Sequence, residues 1–198
     1  MWRSSPFPAL LSSMRSLSRR PRTISDFLNC MHLVQGVVSV LKPHHSALLI
    51  GELSPILENG PKGGIRGEIL EILQLKALVN SLPDDDRGET ADVYLHAIDL
   101  LHTVLLESQK AGENEIYLAL LFSWPALLLP KFFSSLSMQE PVSFIIMAHF
   151  AAILGHNKSF WWITCWNTCI VNAVESRLSP DLLEWLVWPK QMSGEKEG

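Results

Sequence analysis

The chain has 198 residues, 47% of them apolar, and a formal net charge of −4. That length fits one domain with at most an appendage, and that apolar content excludes a globally disordered chain. The charge is uneven: Arg3, Arg15, Arg19, Arg20 and Arg22 lie in an acid-free start, so the remainder sets 11 bases against 20 acids, a sign that does not hold DNA, which needs clustered Lys and Arg.

Residues 1–22 are rich in Ser, Arg and Pro and read as a disordered basic segment. An Arg- and Ser-rich, acid-free start also has the composition of a mitochondrial transit peptide, although Pro6 and Pro8 interrupt any amphipathic helix. Thr23-Ile24-Ser25-Asp26 has the shape of a capping box with Asp in place of Glu. The helix that follows is predicted to run to about Leu41, with Phe27, Met31, Val34, Val38 and Leu41 forming one apolar stripe. Residues 42–67 are rich in turn formers. His44-His45 point to different faces and read as solvated. The Gly60 to Gly64 stretch has no preceding strand and no Gly-Lys-Ser/Thr, so it is not a phosphate loop.

A helix is predicted from about Glu68 to Val79, carrying Ile69, Ile72, Leu73 and Leu75. Asp84-Asp85-Asp86 reads as a solvated loop, because the alternating oxygen ligands, Gly and distal Glu of a Ca²⁺ loop are missing. Thr90 is placed to cap a helix reaching about Ser108, with Val93, Ala97, Leu100, Leu101, Val104 and Leu105 inward. His96 and His102 do not share a face. After Gly112 a helix is predicted to run to Trp124, where Pro125 should kink or break it, and a shorter one from Ala126 to Leu136.

Pro141 suits the first position of the next helix and Gly155 its end. Its run from Val142 to Leu154 is apolar nearly all round, so it should lie at the centre, and His149 within it reads as a core histidine with a satisfied hydrogen bond. From Asn157 or Ser159 a helix is predicted to about Leu178, with Trp162, Trp166, Cys169, Ile170, Ala173 and Val174 inward. Ser179-Pro180-Asp181 should cap a last helix carrying Leu183, Trp185, Leu186 and Trp188 and stopped by Pro189. Residues 191–198 read as a polar tail.

Six of the seven tryptophans fall between Trp124 and Trp188. Each such ring buries about 150–250 Å², so this stretch demands specific packing. The three cysteines, Cys30, Cys165 and Cys169, form no metal spacing and read as buried thiols of a reducing compartment. No apolar run reaches the ~20 residues of a membrane span. No Ser/His/Asp set and no carboxylate pair on an apolar face stands out, so an enzyme is not expected. The fold class is all-α: a single irregular helical domain of about seven helices over residues 23–190.

The order Trp124-Pro125, Pro130, Pro141, Ala148-His149-Phe150-Ala151, Trp161-Trp162, Trp166 and Trp185 to Pro189 resembles the C-terminal half of the fungal-specific regulatory domain. That domain belongs to zinc-cluster (Zn2Cys6) transcription factors of the sterol-uptake-control type. Phe27, Leu33, Gly36-Val37 and the Ser54-Pro55-Ile56-Leu57 turn are similar to the family's middle region. Tyr94, Ala97, Ile98 and Leu101 look like its following helix.

The resemblance implies a helical effector domain that regulates transcription by RNA polymerase II. In sterol-sensing relatives this domain holds a lipid in an apolar pocket and controls nuclear entry or activation. The pocket residues implied here are Phe144, Met147, His149, Phe150, Trp162 and Trp166. The six-cysteine, two-zinc module that begins such factors has no counterpart among these cysteines. The expectations are therefore a chain truncated relative to the family, with no cofactor of its own and no direct contact with DNA. Expected partners are an apolar ligand such as a sterol, transcriptional co-regulators and a second copy, and the expected location is nucleus and cytoplasm. Two alternatives stay open: a ligand-free helical interaction or dimerisation module, and a mitochondrial helical protein.

Overall fold

Helix starts are set by local chemistry, and the first is set as the sequence predicts. The Thr23 N–H donates to Asp26 Oδ2 (3.0 Å) and the Asp26 N–H donates back to Thr23 Oγ1 (3.2 Å), a reciprocal capping box. The structure, a computed structural model, describes residues 23–41, 69–83, 88–111, 118–156 and 161–192. The basic segment 1–22, the turn-rich stretch 42–67, Asp84-Asp85-Asp86 and residues 193–198 lie outside the described residues.

The described residues are all-α, with eight α-helices, one 3-10 helix and no strand. In chain order they are α1 (Ile24–Leu41), α2 (Leu70–Asn80), α3 (Glu89–Ala111), α4 (Leu118–Leu127), α5 (Pro130–Ser137), α6 (Pro141–His156), α7 (Trp161–Glu175), the 3-10 helix Pro180–Leu186 and α8 (Val187–Met192).

The inward stripes follow the 3- and 4-residue steps. Ile24, Phe27 and Met31 are buried on α1, and Ile72, Leu75, Leu78 and Val79 on α2. Val34 is only half-buried, and the side chains of Val38 and Leu41 lie outside the description. Leu73 faces solvent instead of the core. On α3, Val93, Ala97, Leu101, Val104 and Leu105 are buried as predicted, joined by Tyr94 and Ile98.

Several boundaries differ from expectation, each for a physical reason. Thr90 does not cap α3. The Gly88 carbonyl accepts from Ala91 and Asp92, so Gly88 takes that place one residue before the helix. Pro125 does not end α4; it sits inside the last turn, where removing one N–H leaves most of the ladder intact. The break comes at Leu128 and Leu129, where Pro130 holds Leu129 extended (φ −69°, ψ 144°). The axes of 120–127 and 130–137 then differ by 85°. The predicted helix from Ala126 therefore begins only at Pro130.

α7 stops at Glu175 rather than Leu178. Ser179 is extended and Pro180 is helical, as expected, but the Ser179 hydroxyl makes no cap bond and the next seven residues are 3-10. Pro189 does not stop the chain. It is the third residue of α8, where an N–H has no intrahelical partner. Gln191 and Met192 consequently belong to a helix and not to a tail.

α6 is the axis of the fold. Every residue from Val142 to Leu154 is buried. It packs against α7, α8, the 3-10 helix, α3, α5 and α2. Ala148, Ala151, Ala152 and Gly155 share one side of it, by 3- and 4-residue spacing. That row of small residues ends where Gly155 meets the Asn167 side chain of α7, so closely that an added Cβ would overlap it.

Candidate functional site in the aromatic core

Six rings from six different helices form one continuous chain through the interior. Trp166 of α7 contacts Phe27 of α1 (5.3 Å between centroids), and Phe27 contacts Phe150 of α6 (6.2 Å). Phe150 stacks on Trp124 of α4 (4.2 Å, 23°). Trp124 meets Phe132 of α5 edge-on (5.8 Å, 81°), and Phe132 meets Tyr94 of α3 edge-on (6.2 Å, 87°). Offset and edge-to-face pairs at these spacings add about 0.5–1.5 kcal/mol each beyond area burial.

The polar ends of these rings are satisfied. The Trp124 Nε1–H donates to the Ala97 carbonyl (2.9 Å). The Tyr94 hydroxyl donates to Glu140 Oε2. Glu140 also accepts, through its carbonyl, from the Phe144 N–H (3.2 Å) and the Ser143 hydroxyl (2.7 Å), so it caps α6. The carbonyls at the broken end of α4 are covered too: Gln35 Nε2 donates to Leu128 O (3.0 Å), and His96 Nε2 lies 3.3 Å from Leu127 O.

The proposed pocket residues divide between two sides of α6. Phe144, Met147 and Phe150 are fully buried, and Trp166 closes the aromatic chain. His149 lies about 160° around the helix from Met147 at 100° per residue, so the two cannot line one surface. The Trp162 side chain lies outside the described residues.

His149 has its own surroundings. Its Nδ1–H donates to the Ile145 carbonyl (2.9 Å), one turn back, and its ring stacks on Trp188 of α8 (5.3 Å, 14°). Burial lowers its pKa from 6.5 to about 4, against the smaller opposing pull of the Ile145 carbonyl. The ring is therefore neutral at pH 7 and carries its proton on Nδ1. The expectation of a satisfied core histidine holds.

Asn167 is buried at 3% exposure, and its Oδ1 has no hydrogen-bond partner among the described residues. An unsatisfied buried acceptor of this kind costs about 1–3 kcal/mol. Sequence reasoning passed over it because a lone Asn on an apolar helix gives no sign of which face it takes. Trp188 as the partner of His149 was equally hidden, the two being far apart in the chain.

No group of three or more His, Cys, Asp or Glu among the described residues could hold a metal ion. No single described helix is long and apolar enough to cross a membrane; the bent pair 120–127 and 130–137 passes by length and composition, and its residues Leu121, Trp124, Phe132 and Leu136 are core. No family model, curated protein or solved structure matches this chain.

Proposed function

We propose that this chain is a regulatory, ligand-sensing helical domain of the fungal zinc-cluster type, acting in transcription by RNA polymerase II without contacting DNA itself. The observation that carries the reading is the Asn167 Oδ1, a buried acceptor without a partner among the described residues, set against Gly155 of the apolar α6. Binding sites for apolar ligands combine an apolar lining with very few placed polar groups. A lipid bearing one hydroxyl, such as a sterol, matches that combination: its hydroxyl pairs the amide oxygen and its apolar body packs against apolar side chains that move apart to admit it. The ligand acts by population shift, binding one packing of the helices better and so biasing the surface that co-regulators meet. The nucleus and cytoplasm are the corresponding locations.

The test is thermal unfolding of the full chain across a lipid panel that includes ergosterol. A ligand at one hundred times its Kd stabilises by about 2.7 kcal/mol. Asn167→Leu should melt higher than the wild type without lipid and lose most of the lipid response. If no lipid moves the melting temperature, the sensing role is wrong.

A second reading has its own support. Leu33 (49% exposed) and Val37 (40%) lie one turn apart on α1, about 120° around the helix from Phe27 and Met31, as a dimerisation module would present them. A concentration-independent monomer in sedimentation would dismiss it.

A further inference from the structure

Residues 180–192 close the fold as a short strap. The 3-10 helix and α8 both lie against α6 and α7. Leu186 and Pro189 are the strap's two buried residues, Leu182, Leu183 and Trp185 pack half-buried against the core, Trp188 stacks on His149, and Lys190 Nζ pairs with Glu175 Oε1 (2.5 Å). His149 belongs to the central helix, and the strap supplies the face that covers its ring.

We propose that the strap is an acid-releasable latch on α6, closed while His149 is neutral and opened when it takes a second proton. Trp188 lies nearly parallel over the imidazole, 14° from coplanar, and so excludes the water that would solvate an imidazolium. The Nδ1–H is already committed to the Ile145 carbonyl, and among the described residues His149 makes no ion pair.

Among the described residues, the surrounding elements offer no counter-charge in contact with the ring. On α6 itself the other titratable group is His156, about two turns further on. On the elements packed against it, Lys76 pairs with Asp99 (2.7 Å), Lys131 with Glu89 (2.8 Å) and Lys190 with Glu175. Glu140 accepts from Tyr94. Asp181 and Glu184 of the strap and Asp92 of α3 are exposed, Glu71 of α2, Glu107 of α3 and Cys169 of α7 are half-buried, and Arg177, just past α7, donates to Ala173 O. His102 of α3 is buried.

Two effects of protonation oppose each other. An imidazolium over the face of Trp188 gains cation–π attraction, which favours the closed latch. Burial opposes it: the ring is shut from water with no described ion-pair partner, and desolvation lowers its pKa from 6.5 to about 4. When the strap lifts, the ring meets water and regains its ordinary range. Opening therefore takes up a proton, and it is favoured as the pH falls from 6.5 towards 4 and unaffected above 6.5. With those two values the opening constant rises about 30-fold between pH 7.5 and pH 5.0. The latch is independent of the ligand-sensing reading.

Hydrogen–deuterium exchange on the full chain, corrected for the intrinsic pH dependence of exchange, tests this. Strap amides should open about 30-fold more at pH 5.0 than at pH 7.5, while amides of 145–154 in α6 stay protected. His149→Gln should abolish the difference, and Trp188→Phe should keep it, because a ring still covers the imidazole. A flat response of the wild-type strap, an undiminished response in His149→Gln, or α6 exchanging in step with the strap would each overturn the latch. Without any variant, the His149 Cε1 proton resonance should titrate well below pH 6.5; an ordinary midpoint there sinks the proposal.

Discussion

Gln139 is the one non-glycine residue with positive φ among the described residues, at 60°. It occupies the turn between α5 and α6. The Gln139 N–H donates to Leu136 O (3.1 Å) and the Glu140 N–H to Ser135 O (3.0 Å), the bond pair of a Schellman motif. That position favours glycine, since a Cβ there costs about 1–2 kcal/mol. Gln139→Gly relieves the strain and gives back part of it as chain entropy in the unfolded state. The net gain should be about 1 kcal/mol, read as a higher urea midpoint with an unchanged m-value. A lower midpoint would show that the glutamine side chain contributes more than its backbone costs. The corner tolerates this residue because the next one, Glu140, is held at both ends, by the Tyr94 hydroxyl and by its cap on α6.

At the scale of elements, α6 and α7 pack together more extensively than any other described pair, and glycine permits their close approach at one end. Gly155 leaves room for the Asn167 side chain, and a methyl group there overlaps it. Gly155→Ala should destabilise the fold by about 1–3 kcal/mol, as overpacked cores do, even though alanine is the better helix former. An unchanged or raised melting temperature would mean that α7 slides freely on α6. The contrast between Pro125 and Pro130 belongs to this scale as well. Both are visible in the sequence, and the chain breaks at the second. Pro125 lies in a last turn with few bonds left to lose. Pro130 acts on Leu129, which it holds extended. The carbonyls left open at Leu127 and Leu128 then need Gln35 and His96, from two other helices.

Over the whole molecule, stability is concentrated in the aromatic chain. Phe150 sits between Phe27 and Trp124 and so joins α6 to both α1 and α4. Phe150→Ala should cost about 3–5 kcal/mol. Because the ring bridges three helices, one cooperative transition should move as a unit to lower urea when followed by both far-UV circular dichroism and tryptophan fluorescence. Two separated transitions would show that α1 and α4 unfold apart from the α6–α7 pair. The strap is the exception to this concentration. It reaches the core through Leu182, Leu183, Trp185, Leu186 and the His149–Trp188 stack, none of them a member of the six-ring chain. A short element with only Leu186 and Pro189 fully buried belongs to the low-stability end of a fold.

The sequence alone determined the all-α class, the start of α1 at Thr23–Asp26, the start of α6 at Pro141 and the burial of its whole run from Val142 to Leu154. These are local matters: caps and prolines act within three residues, and apolar content all round a helix leaves it nowhere but the centre. What only the tertiary structure decided is how side chains meet across the chain. Helical spacing placed Phe144, Met147, His149 and Phe150 on one element, but not that His149 faces Trp188 of the strap while Phe150 faces Trp124. Nor did it show that Asn167 lies against Gly155 with its Oδ1 buried and unmatched. Such pairings depend on the crossing of helices distant in sequence, and apolar residues carry no directional signal that selects one ring as the partner of another.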